Sequence, residues 1–156
     1  MTVSSSKAMS NLDLGPAGRA MAQSIEPVLV DSLQQHLTLE RQASATYFGF
    51  SIWFAERELR GFSKFFLKES SSEQAHAQVF AEYLVARAQS TVLETLPKPN
   101  QQWSSIEQIF AFAFQMEADV TTSLHQLYAI AERSSDFRTT VFLDPIIEGQ
   151  TTSEDE

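Results

Sequence analysis

Helical patterning in four successive segments constrains the fold of this chain more than any other feature of its sequence. Apolar residues recur there in alternating steps of three and four, the spacing that keeps side chains on one face of a helix. The predicted helices span approximately residues 27–55, 59–89, 104–133 and a segment that begins at 137. The chain is therefore predicted to be all-α.

The predicted boundaries rest on residues that begin, end or interrupt helices. Pro27 suits the first turn of the first helix, and Ser104 with Glu107 forms a capping box that begins the third. Pro145 and Gly149 weaken or kink the fourth. Between the second and third helices, the segment STVLETLPKPNQQW carries two prolines and no helical stripe. It is predicted to be a connection, and a long one for a helical bundle.

Composition narrows the class of protein. The 156 residues suffice for one domain, with 24–156 as the folded part and the Ser-, Gly- and Pro-bearing residues 1–23 as a flexible tail. Cysteine is absent, which excludes disulfides and thiolate metal sites, and the net charge of −9 argues against nucleic acid and favours cations as partners. No apolar run reaches the roughly 18 residues of a membrane helix, and no secretory signal is recognisable. A cytoplasmic protein without a membrane segment is expected.

Each predicted helix carries acidic or amide side chains on the stripe that should face the core. Glu73 and His76, three residues apart in SSSEQAHAQVF, share one face of the second helix. The acidic, amide and imidazole side chains on the four stripes are Glu40, Glu69, Glu73, His76, Glu117, Gln150 and Glu154. An uncompensated buried carboxylate costs several kcal/mol, and the net stability of a domain is only about 5–15 kcal/mol. Divalent cations bridging the carboxylates would remove that cost, and oxygen ligands with a single imidazole suit iron or manganese.

Three segments resemble the first three helices of the non-haem ferritins in their prokaryotic form. They are LERQASATYFGFSIW, SSSEQAHAQVFAEYL and FQMEADVTTSLHQLYAIAER, and the resemblance covers roughly residues 25–150. It implies a ferritin-like four-helix up-down bundle with one long crossover connection. Because such chains continue their fourth helix further and add a fifth, the fourth helix is expected to be truncated here, with wider openings at the axis where those helices would meet.

The resemblance also implies a site. Glu40, Glu73 and His76 would hold one iron, and Glu73 would bridge to a second iron held by Glu117, with Gln150 nearby. Glu69 matches an extra acidic position that passes iron inward or holds a third ion. Tyr47, two turns beyond Glu40, matches the tyrosine kept beside the dimetal centre, with its ring reaching back toward Glu40.

The absence of a second Glu-x-x-His motif indicates which kind of ferritin relative the chain resembles. Bacterioferritins and rubrerythrins carry a second Glu-x-x-His, but neither His36 nor His125 has a glutamate three residues before it. Both are expected to be surface or packing residues. Small DNA-protecting relatives often carry a basic tail, which this acidic chain lacks. The asymmetric site with one histidine is the ferritin pattern.

Three of these residues could have a structural role instead of a functional one. Glu69 could be a partly solvated residue at the bundle end, Tyr47 a core aromatic with a satisfied hydroxyl, and Glu154 only part of the acidic segment SEDE.

The function that the resemblance implies is iron storage with ferroxidase activity. Each subunit would bind two Fe(II), with room for a third ion, oxidise them with dioxygen and pass Fe(III) to a mineral core inside a hollow shell of 24 subunits. Two alternatives stay open: a non-catalytic metal-binding helical bundle, and a related di-iron oxidase that does not store iron.

Overall fold

Four helices make up the bundle. A computed structural model describes residues 24–154, and the predicted tail 1–23 lies outside the described residues. The helices are α1 Pro27–Glu56, α2 Arg60–Ala86, α3 Ile106–Arg133 and α4 Phe137–Glu154. Each agrees with the sequence prediction to within a few residues, and α4 continues through Pro145. The all-α fold is confirmed.

The connections give the bundle its topology. Residues 57–59 join α1 to α2 and residues 134–136 join α3 to α4, whereas residues 87–105 form the long crossover between α2 and α3 without a helix. Side chains of α1 hold the crossover along the bundle, because Gln34 bonds the backbone of Ser90 at 2.7 Å and of Val92 at 3.1 Å, and Arg41 bonds the carbonyl of Glu94 at 3.0 Å.

Helix α3 begins one residue later than the sequence predicted, because its cap is Ser105 and not Ser104. The Oγ atom of Ser105 accepts the first-turn amide of Gln108 at 3.1 Å, so Ser105 is the cap. Ser104 lies one residue outside the helix, where its amide and hydroxyl both bond Oε1 of Gln108 at 2.8 Å. Gln108 therefore makes the bond to the Ser104 amide that was predicted for Glu107, whereas the residue that caps the helix is Ser105.

Two apolar clusters fill the bundle, one at each end. The first is built mainly from the leucines of α1, α3 and α4 with Phe80 of α2, and the second is mainly aromatic, around Tyr47, Phe50, Phe54 and Phe66. Glu40 and Glu73 are buried between the two clusters but belong to neither. A polar layer therefore separates two dry cores.

The aromatic end is more open than the stripes predicted. Phe62 of α2 and Phe110 of α3 are 40% and 37% exposed, although both were placed on core-facing stripes. They lie near the starts of their helices, with ring centroids 5.6 Å apart, and the buried positions there belong to Phe66 and Ile109. Within residues 24–154, no helix combines the length and apolarity needed to cross a membrane.

Candidate metal centre

Glu40 of α1 meets Glu73 and His76 of α2 in the polar layer. These three residues form the first acidic group, in which each residue offers a ligand atom and these atoms lie within 4.8 Å of one another. The Nδ1 atom of His76 is 3.3 Å from Oε2 of Glu73 and 3.6 Å from Oε2 of Glu40. Helical spacing brings Glu73 and His76 onto one face, and the pairing of α1 with α2 supplies the second carboxylate.

A second acidic group shares a member with the first. Glu69, Glu73 and Glu117 offer oxygen atoms within 4.8 Å of one another, and Glu117 comes from α3. Glu73 therefore belongs to both groups. A carboxylate has two oxygens, so one residue in this position can serve two cations at once.

Two further side chains hold Glu117. The hydroxyl of Tyr47 donates to Oε1 of Glu117, and the amide nitrogen of Gln150 donates to Oε2 of Glu117 at 2.8 Å. The sequence predicted that the Tyr47 ring reaches back toward Glu40, but its hydrogen-bond partner is Glu117 of α3. The reason is that the ring packs between Phe50 and Phe66 in the aromatic cluster, with centroids 6.0 and 5.8 Å away.

The predicted inward position holds for Glu73 but only partly for His76. The side chain of Glu73 is 4% exposed and that of His76 is 47% exposed. The buried line of α2 runs through Ser70, Glu73, Ala77 and Phe80, which leaves His76 at its edge. His76 therefore marks where the acidic groups open toward solvent in the single chain.

His36 was expected to be a surface or packing residue, and that assignment was incomplete. It is fully buried, and its Nε2 atom lies 3.0 Å from Oε1 of Glu40. Its Nδ1 atom lies 2.8 Å from Oγ of Ser123 in α3. The four-residue spacing between His36 and Glu40 could have revealed this pair. His125 is exposed as predicted.

The pKa values of the three residues in the first acidic group are shifted by burial and by one another. Burial raises the pKa of Glu40, but the hydrogen bond with His36 and the nearby His76 ring outweigh burial and hold that pKa well below its usual range. Burial raises the pKa of Glu73 to about 9, with the neighbouring Glu40 carboxylate adding to the rise and His76 opposing it. The carboxylates of Glu40 and Glu73 raise the pKa of His76 to about 10. Without a metal at neutral pH, Glu73 is thus a neutral acid, and the positive charge of protonated His76 balances the negative charge of Glu40.

Tyr47 stays protonated across the ordinary pH range. Burial raises its pKa, and the adjacent Glu117 carboxylate raises it further. The phenol is therefore a permanent hydrogen-bond donor to Glu117.

The donor set fits a hard divalent cation. Only two buried side-chain atoms among the described residues lack a hydrogen-bond partner, and one of them is Oε2 of Glu40. Leaving a buried acceptor unpaired costs about 1–3 kcal/mol or more, and a cation at that oxygen would remove the cost. Carboxylate oxygens with one imidazole suit iron or manganese.

The metal-free protein is expected to lose stability as the pH rises from about 6.5 to 9. Glu73 holds its proton to about pH 9 in the folded chain and to about 4.5 when unfolded, so its contribution falls throughout that range. His76 acts in the same direction, because its stabilising contribution is complete below about 6.5 and is lost toward 10. Glu40 acts oppositely, but only as the pH falls below about 4.5.

The Tm of metal-free protein, measured across this pH range, checks the prediction. Glu73→Gln is the matched control, since it removes one of the two titrations and should flatten the fall. A parent Tm that stays constant or rises between pH 6.5 and 9 would contradict the proton assignment.

Comparison with known protein families gives a match over most of the chain. The profile of the family described as the ferritin-like domain matches residues 30–156. The bacterial non-heme ferritin of Staphylococcus saprophyticus is 25% identical over 126 residues, which cover 81% of this chain and 75% of that protein. The ferritin heavy chain of Trichoplusia ni is 28% identical over 114 residues, covering 69% of this chain and 54% of that protein.

Solved structures agree with these sequence matches. A crystal structure of a PmFTN variant soaked in iron overnight has a TM-score of 0.80 and 30% identity, and the alignment covers 83% of each chain. A variant soaked for 45 min gives a TM-score of 0.81 at the same identity and coverage.

Proposed function

The chain belongs to the ferritin family, and we propose that it oxidises Fe(II) with dioxygen inside its bundle and delivers Fe(III) to a stored mineral. The observation that carries the proposal is the position of Glu73 in both acidic groups. A carboxylate shared between two cation positions is what two-iron chemistry requires, whereas a single structural ion would not need it.

The proposed roles follow the two groups. Glu40, Glu73 and His76 bind the first Fe(II), and Glu73 bridges to a second Fe(II) held by Glu117. Gln150 orients Glu117 through its amide donor, and Tyr47 does so through its hydroxyl. Glu69 shares the second group and is proposed to receive iron from it or to hold a third ion.

Fe(II) is the substrate, and the protein supplies position, charge and proton handling. Two Fe(II) give two electrons, which with two protons reduce one dioxygen to hydrogen peroxide, and a second pair completes the reduction to water. Negative carboxylates stabilise Fe(III) more than Fe(II), so the ligand set favours oxidation. Binding of the cations displaces the protons that Glu73 and His76 hold at neutral pH.

The half-exposed His76 gives the proposed entry point for iron. Its ring lies at the edge of the buried line of α2, while both of its carboxylate neighbours are buried. An ion arriving from solvent would meet the imidazole first and then the buried oxygens.

Storage requires assembly, which is proposed from family membership. Subunits would close into a hollow shell of 24 copies, the number that the resemblance to non-haem ferritins implies, and Fe(III) would mineralise inside it. Light scattering with iron analysis tests this: a high-mass particle that retains iron is expected. A monomer or dimer that oxidises Fe(II) yet precipitates it in bulk would instead favour an oxidase that does not store iron.

Tyr47→Phe is expected to keep iron binding but to change the course of oxidation. Phenylalanine preserves the packing against Phe50 and Phe66 but removes the hydrogen bond to Glu117 and the phenol as an electron donor. Rapid-mixing absorbance and electron paramagnetic resonance during turnover provide the measurement, and a transient tyrosyl signal is expected in the parent only. Tyr83→Phe, which changes a tyrosine outside both acidic groups, serves as the control. Identical kinetics and identical spectra in Tyr47→Phe and the parent would leave Tyr47 as a core residue.

A further inference from the structure

His36 is a buried titratable residue that the proposed function does not use. It lies on α1 one turn before Glu40 and is fully buried, with its ring 4.5 Å from the ring of Phe80, centroid to centroid. Its two ring nitrogens meet two different partners, Glu40 at 3.0 Å and Ser123 at 2.8 Å. An imidazole with both nitrogens engaged has a fixed orientation.

The Glu40 partner determines which atom donates in its hydrogen bond with His36. An ionised Glu40 can only accept, so Nε2 of His36 carries the hydrogen of that bond. Nδ1 lies 2.8 Å from the hydroxyl of Ser123, which is able to donate or to accept in that hydrogen bond. His36 therefore joins Ser123 of α3 to Oε1 of Glu40, and it is the donor in the bond to Glu40.

The two oxygens of Glu40 are thereby made unequal. Oε1 receives the hydrogen bond from His36, whereas Oε2 is buried without a hydrogen-bond partner. Oε2 is also the oxygen that lies 3.6 Å from Nδ1 of His76, on the side where the first acidic group converges. Oε1 is therefore held by His36 on the same helix, whereas Oε2 faces the other residues of the first acidic group.

We propose that His36 is a positioning residue that engages Oε1 of Glu40 and leaves Oε2 as the single oxygen that binds the first metal ion. The proposal rests on the proposed function, because it assumes that Glu40 is a ligand. A carboxylate free to rotate could bind through either oxygen or both, so fixing one oxygen preorganises the site. Partners that orient metal ligands in this way typically change metal affinity about 10- to 100-fold.

Binding of Co(II) to metal-free protein tests the proposal without relying on oxidation. Calorimetry gives the Kd, and the visible absorption of bound Co(II) reports its coordination. His36→Leu removes the donor, and His36→Gln restores one, since its amide can donate to Glu40 and accept from Ser123. Ser123→Ala removes the hydrogen-bond partner of Nδ1, and with it one of the two bonds that orient the ring, without changing Glu40. His125→Leu and His125→Gln make the same changes at an exposed histidine.

The expected result is a rise in Kd of about 10- to 100-fold and an altered Co(II) spectrum in His36→Leu. His36→Gln is expected to recover most of the affinity, and Ser123→Ala to show a smaller rise than His36→Leu. Both His125 variants should match the parent. Rescue by glutamine separates positioning from loss of packing, and Ser123→Ala keeps the test decisive if His36→Leu does not fold.

Glu40→Ala distinguishes failure of this inference from failure of the proposed function. If Glu40→Ala weakens Co(II) binding while the His36 and Ser123 variants keep the parent Kd and spectrum, the positioning role is overturned and the site stands. If Glu40→Ala also leaves binding unchanged, the proposed metal site is overturned together with it.

Discussion

Replacing Glu73 with alanine is expected to abolish rapid Fe(II) oxidation while leaving the bundle folded. Glu73 is the one residue common to both acidic groups, so its loss removes a ligand from each proposed cation position. No other described carboxylate lies in both groups, which means that no neighbour can replace the bridge. The initial rate of oxidation, followed by absorbance after mixing with Fe(II) in air, checks the prediction.

The same substitution is expected to keep or raise the stability of the metal-free protein. Glu73 is buried beside the Glu40 carboxylate, and its raised pKa shows that ionising it there is unfavourable. Removing it relieves that penalty. Glu82→Ala, at an exposed glutamate of α2, is the matched control and should leave oxidation unchanged. Undiminished rapid oxidation in Glu73→Ala would contradict the two-iron assignment.

Asp136→Ala is expected to lower the free energy of unfolding by about 3–5 kcal/mol, because it leaves a buried guanidinium without its counter-charge. Arg87 and Asp136 form a two-pronged ion pair, with N–O distances of 3.0 and 2.9 Å and side chains 1% and 3% exposed. Asp136 also accepts the amide of Thr139 at the start of α4, at 3.1 Å. The pair therefore ties the end of α2 to the α3–α4 connection.

Denaturation in urea at fixed protein concentration measures this effect. Asp136→Asn keeps an acceptor for the amide of Thr139 but removes the charge, so it separates the contribution of the ion pair from that of the helix cap. Its free energy of unfolding should fall, but by less than that of Asp136→Ala. Arg87→Met combined with Asp136→Leu removes both charges and should cost less than Asp136→Ala alone. A loss below about 1 kcal/mol in Asp136→Ala would show that the pair is worth no more than an exposed one.

The fold could be predicted from the sequence because its signals are local. The step of three and four, the proline at position 27 and the two-proline crossover each act within a few residues, and the helices begin and end close to where these signals place them. The stripes also placed Glu40, Glu73 and Gln150 among the buried residues, since polar intrusions on an apolar face are visible without knowing the partner helix.

The pairing of side chains across helices could not be predicted in the same way. Tyr47 bonds Glu117 and His36 bonds Ser123, and each bond joins α1 to α3 across a long stretch of sequence. No local pattern specifies the rotation of one helix against another by the few degrees that decide such contacts. His76 illustrates this sensitivity, because it lies on the predicted stripe and yet emerges at the edge of the buried face.

Uptake of dioxygen during stepwise addition of Fe(II) to metal-free protein tests the central claim most directly. Two cation positions joined by Glu73 predict a fast phase whose amplitude grows until two Fe(II) per chain have been added and then stops growing. Glu73→Ala should lack that phase, and Glu82→Ala should keep it. Uptake no faster than that of Fe(II) in buffer alone, or a fast phase that ends at one Fe(II) per chain, would contradict the account.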